Sequence, residues 1–441
     1  MSKASTSKLS GFPEFLPSER HVEQLVLDEL RRVFELHGFA SIETRAVEPM
    51  DQLLRKGEID KELYVLRRLH ATEGDAGLGL HFDLTVPFAR YVIENAGKLQ
   101  FPFRRYQIQK VWRGERPQHG RFREFTQADI DIVAKDELPF HFDVEVAQVM
   151  ADALARLPIP DTTMQISNRK VLEGFYLGLG LTDPLTVMQI VDKLDKVPRD
   201  DVHGMLAEAG LNDEQARACL DLAGINTADG PHDFAGAVRE LGVHHPTLDA
   251  GLDELEQVRD AAQGADSVDV VVDLRIARGL DYYTGTVFET RMRGYEQLGS
   301  ICSGGRYDTL ASDGRNTYPG VGISLGVSRL LVPLIADGLT SDRSVPSAVL
   351  VAVVDEATRD QSNKIAHALR SRDIPCEVAA SAQRFGKQIR YAERRGIPYV
   401  WFPESGEGGH QVKDIRTGEQ YPADPHAWTP PATDLRPRIK E

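Results

Sequence analysis

The sharpest pattern of apolar and polar positions runs from Tyr106 to Asp131, YQIQKVWRGERPQHGRFREFTQADID. Tyr106, Ile108 and Trp112 alternate with Gln107, Gln109 and Arg113, the period-two pattern of a strand with one apolar and one polar face. Gly114, Pro117 and Gly120 interrupt it, and Arg121, Arg123, Phe125, Gln127, Asp129 and Asp131 then share one face of a returning strand. The segment predicts strand, polar loop, strand. Alternation alone leaves the polar face to solvent, as antiparallel sheets commonly do.

Before this hairpin, Val22, Leu25, Val26, Leu30, Val33 and Phe34 fall on one helical stripe, with Ser18 as a candidate cap and Gly38 as the stop. A strand follows, SIETRAVEP, closed by Pro49. Residues 80 to 91, LHFDLTVPFARY, alternate up to Pro87 and predict a strand with Asp83 and Thr85 on one face. After the hairpin, 162–173 reads as a strand entering a helix capped by Asn168. Between about 174 and 265 the pattern changes to short helices punctuated by Gly and Pro. Strand patterns resume at VDVVVDLRIARGLDYYTGTVFET, where Tyr282, Thr284 and Thr286 alternate with Tyr283, Gly285 and Val287. In GVGISLGVSRLLVPL a glycine-spaced strand turns into an apolar helix, with Arg329 in its first turn, where backbone dipole and side chain can both face phosphate. DGLTSDRSVP, 337–346, reads as a polar linker, and the chain beyond it alternates βαβαβ, implying a small sheet with crossover helices.

A chain of 441 residues, 41% hydrophobic, is long enough for about two or three domains with sizeable cores. Its formal net charge of -15 argues against indiscriminate binding to nucleic acid or membrane, so any RNA contact must come from local basic patches. Arg384, Lys387, Arg390, Arg394 and Arg395 form one such patch around a single helix. A solvated helix face is the commoner reading of such a run. Cys219, Cys302 and Cys376 have no CxxC spacing, so neither a zinc site nor a disulfide framework is indicated and a reducing cytoplasm is expected. No apolar run has the length of a signal peptide core or a membrane span.

The composition of the hairpin changes its reading. Arginines flank the loop, and a ring and acceptor groups follow at strand spacing; arginine forks phosphate, a ring stacks on a base, and a carboxylate holds a cation. In the order Arg113, Glu115, Arg121, Phe125 the hairpin resembles motif 2 of the class II aminoacyl-tRNA synthetases, and RGERPQHGRFREF resembles the histidyl-tRNA synthetases in particular. RGLDYYTGTVFE and SGGRYD are similar to that family's histidine signatures, the Arg329 segment to motif 3, and the first helix and strand to motif 1, which forms a dimer interface.

The resemblance implies an α+β fold: a class II catalytic domain, an antiparallel sheet flanked by helices, in two parts (1–173 and 266–337). A helical insertion (174–265) and a C-terminal α/β anticodon-binding domain (346–428) complete it, and the Pro- and charge-rich 429–441 reads as a disordered tail. It implies ATP-dependent activation of histidine and its transfer to histidine tRNA by a homodimer, with Mg2+ accompanying ATP and pyrophosphate. Arg113 and Arg278 would stabilise charge at the α-phosphate; Arg121 and Arg329 would hold the outer phosphates, Phe125 would stack on adenine and Glu115 would accept from its amino group. Asp83, Thr85 and Gln127 would receive the α-amino group, Asp131 and Tyr283 the ring nitrogens, with Tyr307 near the substrate. Arg116 and Gln118 would read the end of the tRNA, and Arg384, Lys387 and Arg390 its anticodon arm. Three positions depart from common family residues: His81 for arginine, Asp131 for glutamate and Ser328 for glutamate. The rival reading is a histidine-binding regulatory paralogue of the ATP phosphoribosyltransferase type, but such paralogues lose catalytic arginines and the C-terminal domain.

Overall fold

The structure is a computed structural model, and it describes residues 8–54, 62–70, 77–118, 120–228, 232–276, 279, 282–404 and 409–440. The chain divides into two compact units, Met1–Pro13 with Asp28–Pro333, and Glu14–Leu27 with Leu334–Glu441.

The chain opens with α1 (Pro17–Leu36), in which Val22, Val26, Leu30, Val33 and Phe34 are buried as their spacing predicts. Ser18 does not cap it: the helix starts a residue earlier, and the Glu19 carboxylate accepts from Leu16 N–H at 2.7 Å. The predicted strand at 41–49 is two short ones, β1 (Ala40–Ser41) and β2 (Val47–Pro49). After α2 (Met50–Leu53), β3 (Tyr64–Leu66) and β4 (Leu78–Leu80) join β2 in a small antiparallel sheet.

The strand predicted over 80–91 is corrected. It stops at Leu80, and α3 (Thr85–Asn95) begins at Thr85, because Val86, Phe88, Ala89 and Val92 carry helical spacing and bury. Asp83 accepts from Val86 N–H at 3.1 Å, satisfying one orphan donor of the first turn.

The hairpin forms, β5 (Phe103–Trp112) pairing antiparallel with β6 (Glu124–Val133), but Arg121 and Arg123, predicted in the returning strand, precede it. Further on come α4 (His141–Ala155), β7 (Thr162–Asn168) and α5 (Arg169–Gly178), the last capped by Asn168. The helical stretch holds α6 (Pro184–Val191), α7 (Arg199–Glu208), α8 (Asp213–Ala223), α9 (Phe234–Glu240) and α10 (Pro246–Ala262). Then β8 (Val268–Val272), β9 (Thr286–Met292), β10 (Cys302–Tyr307), β11 (Gly320–Gly326) and α11 (Val327–Ala336) complete the unit. Tyr282 and Thr284, predicted in the strand, precede β9.

Among the described residues the main sheet orders its strands β1-β5-β6-β11-β10-β9-β7-β8. Only the β1–β5 and β7–β8 pairs are parallel. The hairpin arm β6 is therefore central, between β5 and β11. Its polar face is not wet: Gln127, Asp129 and Asp131 are all buried.

In the second unit β12 (Val349–Val351), α12 (Arg359–Arg370), β13 (Cys376–Val378), α13 (Phe385–Arg395), β14 (Tyr399–Phe402), β15 (Gln411–Asp414) and β16 (Gln420–Pro422) build a sheet ordered β13-β12-β14-β15-β16. The pairs around β12 are parallel, as a βαβ crossover requires. Two sequence expectations are corrected here. The 337–346 segment is more than a polar linker, since Arg343 is buried and donates to the Ser347 and Asp434 carbonyls. The tail is tied down as well: the buried Asp434 carboxylate accepts from Tyr399 Oη and from Arg416, each at 2.8 Å.

Candidate active site

The cleft forms where the neck of the hairpin meets the start of α11. Arg113 N–H donates to the Arg123 carbonyl at 2.9 Å and closes the neck. The Arg113 side chain is then aimed by two contacts: Nε donates to the Phe82 carbonyl at 3.1 Å, and its guanidinium lies 5.2 Å from the centroid of the Phe125 ring. Glu115 sits between two arginines, 3.1 Å from Arg121 and 3.8 Å from Arg113. Across the loop, Gln118 and Arg121 exchange backbone hydrogen bonds around Gly120, whose φ of 73° suits glycine. Arg329 braces this loop from α11, donating from Nε to the Gly120 carbonyl at 2.9 Å and from Nη1 to the Ser300 carbonyl at 2.6 Å. Arg113, Glu115, Arg121, Phe125, Gln127 and Arg329 thus line one cavity, the residues assigned to nucleotide together with one assigned to amino acid.

Further along β6 lies a buried polar cluster. Strand register places Arg105 opposite Asp131 on one side and Gly322 opposite it on the other. Asp131 Oδ2 lies 2.6 Å from Arg105 Nη2, and its Oδ1 accepts from Tyr307 Oη at 2.7 Å. Arg105 is fully buried, with its guanidinium 4.2 Å over the Phe88 ring. A Cβ on Gly322 would stand 2.1 Å from Asp131 Oδ1, so the glycine makes room for the carboxylate. Burial, then the nearby Asp131 charge, holds the Tyr307 hydroxyl well above its ordinary range; Tyr283 is raised by burial, Tyr282, Asp131 and Tyr307. Both tyrosines therefore stay neutral donors beside a carboxylate. Burial also pushes Asp129 up to about 7, against the pull of Arg105.

Asp83 stands at the start of α3, close enough to Asp129 for its charge to be felt there. Thr85 opens that helix half-buried. His81 is fully buried, its ring stacked on Trp112 and its Nε2 at 2.7 Å from the Lys110 carbonyl, so it donates there. Burial lowers its pKa, and a neutral ring fits a role in holding β5 rather than in gripping an anion. Ser328 is buried and its hydroxyl accepts from Thr126 N–H at 2.9 Å, which ties α11 to β6.

Other expected residues lie elsewhere. Arg116 and Gln118 are exposed on the hairpin loop. Arg278 and Asp281 lie outside the described residues. Arg384, Lys387 and Arg390 are exposed in the second unit, at and along α13, where Lys387, Arg390, Tyr391 and Arg394 line a shallow hollow. Arg395 is instead paired with Glu377 at 3.2 Å. Sequence reasoning missed Arg105 and Ser324 and gave Asp129 no role, although its place in the β6 alternation was the available signal.

Comparison with known proteins places the chain in a family. The family profile for histidyl-tRNA synthetase matches residues 11–330, and that for the anticodon binding domain matches 348–424. A histidine–tRNA ligase of Cutibacterium acnes is 58% identical over 99% of both chains, and that of Micrococcus luteus is 55% identical over 98% of both. The crystal structure of a Nostoc histidyl-tRNA synthetase superposes with a TM-score of 0.83 at 35% identity, covering 95% of this chain and 97% of its own. A Bacillus halodurans chain described as an ATP phosphoribosyltransferase regulatory subunit/histidyl-tRNA synthetase is 18% identical with a TM-score of 0.72, a likeness of fold alone. With motif order, cleft and full-length identity in agreement, the chain belongs to the histidyl-tRNA synthetase family.

Proposed function

We propose that this protein is a histidine–tRNA ligase, which joins histidine to ATP as histidyl-adenylate with release of pyrophosphate and then transfers histidine to the 3′ end of its tRNA. The observation that carries the reading is a cavity lined by Arg113, Phe125, Gln127 and Arg329, next to which the same strand β6 carries the buried Asp131–Tyr307 pair. Carboxylate attack on the α-phosphate brings two anions together, so the enzyme's task is to position them and to neutralise charge building on the phosphorus oxygens. Arg113 does this from the hairpin neck, with Arg278 assigned the same task by the family resemblance, while Arg121 and Arg329 hold the outer phosphates. Phe125 stacks on adenine. Glu115 accepts from the adenine amino group once Arg121 turns to phosphate. Mg2+ enters with ATP as part of the substrate.

Asp131 and Tyr283 meet the two ring nitrogens of histidine, with Tyr307 fixing Asp131, and Asp83, Thr85 and Gln127 receive the amino group. A site built to pair both nitrogens rejects analogues that lack them, because its own buried polar groups would be left unpaired. The proteins act as homodimers in the cytoplasm, with 174–265 as a helical insertion and 346–428 as the anticodon-binding domain. Amino-acid-dependent exchange of pyrophosphate into ATP, run with each of the twenty amino acids, tests the reading: histidine alone is expected to support it, and exchange with another amino acid or with none would refute it.

Arg116 and Gln118 offer a guanidinium fork and an amide to the end of the acceptor stem, whose additional 5′ guanine distinguishes histidine tRNAs. Gln118→Ala is expected to leave pyrophosphate exchange nearly unchanged. The preference for tRNA carrying that guanine should shrink by about 1 to 3 kcal/mol, the scale of one good base contact. Charging both tRNAs with both proteins measures it. An equal loss on the two tRNAs would reassign the loop to phosphate contact.

A further inference from the structure

Behind the cleft, Gln127, Ser324 and Asp129 form a chain of hydrogen bonds with a fixed direction. Gln127 Nε2 donates to Ser324 Oγ at 2.6 Å, and Ser324 donates to Asp129 Oδ1 at 2.5 Å. Strand register brings them together, since Ser324 lies opposite Asp129, and Gly326 opposite Gln127, across the β6–β11 pair. An ionised carboxylate can only accept. It therefore takes the one hydroxyl proton of Ser324, whose oxygen is left to accept the Gln127 amide N–H. The amide oxygen is then left as the remaining acceptor of the chain. Gln127 is 7% exposed, and its Oε1 is buried with no hydrogen-bond donor among the described residues. Gln127 and Ser324 both line the cleft. A buried acceptor without a donor is unfavourable until a ligand supplies one.

The surrounding charge favours a cationic donor. The groups facing Asp129 are Arg105 on β5, Asp131 on β6, Asp83 before α3, and Tyr307 and Cys302 on β10. Arg105 is engaged by Asp131 at 2.6 Å. We propose that Asp129 is a positioning residue that, through the Ser324 hydroxyl, fixes the Gln127 amide with its oxygen toward the cleft as the acceptor for the protonated amine of the amino acid. The proposal rests on the reading of the cleft as an amino-acid site and adds to it what orients that site.

The pH dependence follows from the same chain. Burial holds the Asp129 carboxyl up at about 7, with Asp131 and Asp83 raising it and Arg105 and Ser324 lowering it. When protonated, it can itself donate to Ser324, and the direction of the chain is no longer imposed. A bound ammonium favours the ionised form, so affinity for the amine is complete above the free-state value and is lost as pH falls through it.

The test compares histidine with 3-(imidazol-4-yl)propionate, which has the same ring and carboxylate but no amine; the ammonium of histidine lowers its ring pKa, so both affinities are expressed per neutral-ring form at each pH, and ring titration then cancels in their ratio. Calorimetric titration of the full-length protein between pH 6 and 8 is expected to show the histidine preference of the wild type falling about tenfold toward pH 6, the change expected for one linked proton. Asp129→Asn should give a low preference that does not vary with pH, and Ser324→Ala should lower it while leaving Asp129 in place. A wild-type preference constant across this range would overturn the proposal without any variant. So would variants that keep the wild-type preference, or that lose both ligands equally, since the latter describes a merely structural carboxylate. Wild-type protein that binds neither ligand would refute the amino-acid reading of the cleft itself.

Discussion

Arg113→Ala is expected to lower histidine-dependent pyrophosphate exchange by about 100- to 1,000-fold, the scale on which removal of one fixed stabilising donor acts in a dry site. Two contacts hold this guanidinium before any substrate arrives, the Phe82 carbonyl at 3.1 Å and the Phe125 ring at 5.2 Å. Preorganisation of this kind acts where charge develops, so the loss should fall mainly on kcat rather than on KM for histidine. Arg113→Lys should recover little, because an ammonium cannot reproduce the planar fork and stacks less well on the ring. Steady-state exchange kinetics with both variants separates the cases. A rise in KM for ATP with kcat unchanged would mean that Arg113 only binds nucleotide.

The hairpin that organises the cleft was legible because alternation is local. Tyr106 and its neighbours announce β5, and the glycines and proline announce the loop, without reference to the rest of the chain. What local pattern did not carry is the burial of the polar face. Asp129 and Asp131 are buried because β11 pairs along β6 and Tyr307 arrives on β10. Those partners are nearly two hundred residues away in sequence, and one of them, Gly322, contributes by having no side chain at all.

The segment after Leu80 failed for a different reason. Alternation across 80–85 covers too few residues to separate a strand from the approach to a helix. The decisive spacing, Val86, Phe88, Ala89 and Val92, begins only afterwards. The tail failed because composition averages over residues: among prolines and charges, the single carboxylate of Asp434 joins Tyr399 and Arg416, and one such buried network orders a segment that has few apolar groups.

Arg105→Met is expected to destabilise the catalytic unit by about 3 to 5 kcal/mol, the usual cost of leaving one member of a buried ion pair without its partner. Arg105 is fully buried, so water cannot replace it beside Asp131, and methionine keeps contact with the Phe88 ring while removing the charge. The loss should depend on pH. Arg105 lowers the Asp129 pKa, which burial nonetheless holds at about 7. At pH 6 Asp129 is mainly protonated in both proteins and its share of the cost is small; at pH 8 it is ionised in the wild type, and the variant must either bear a second uncompensated charge or keep its proton. Urea unfolding monitored at both pH values should therefore give the larger difference at pH 8, and equal differences would remove Asp129 from the Arg105 network. Adding Asp131→Asn to Arg105→Met should recover part of the stability, because the stranded charge is gone, yet leave histidine binding poor, because the acceptor for the ring is gone with it. Recovery of both stability and histidine affinity in the double variant would show that the Arg105–Asp131 pair serves packing rather than recognition.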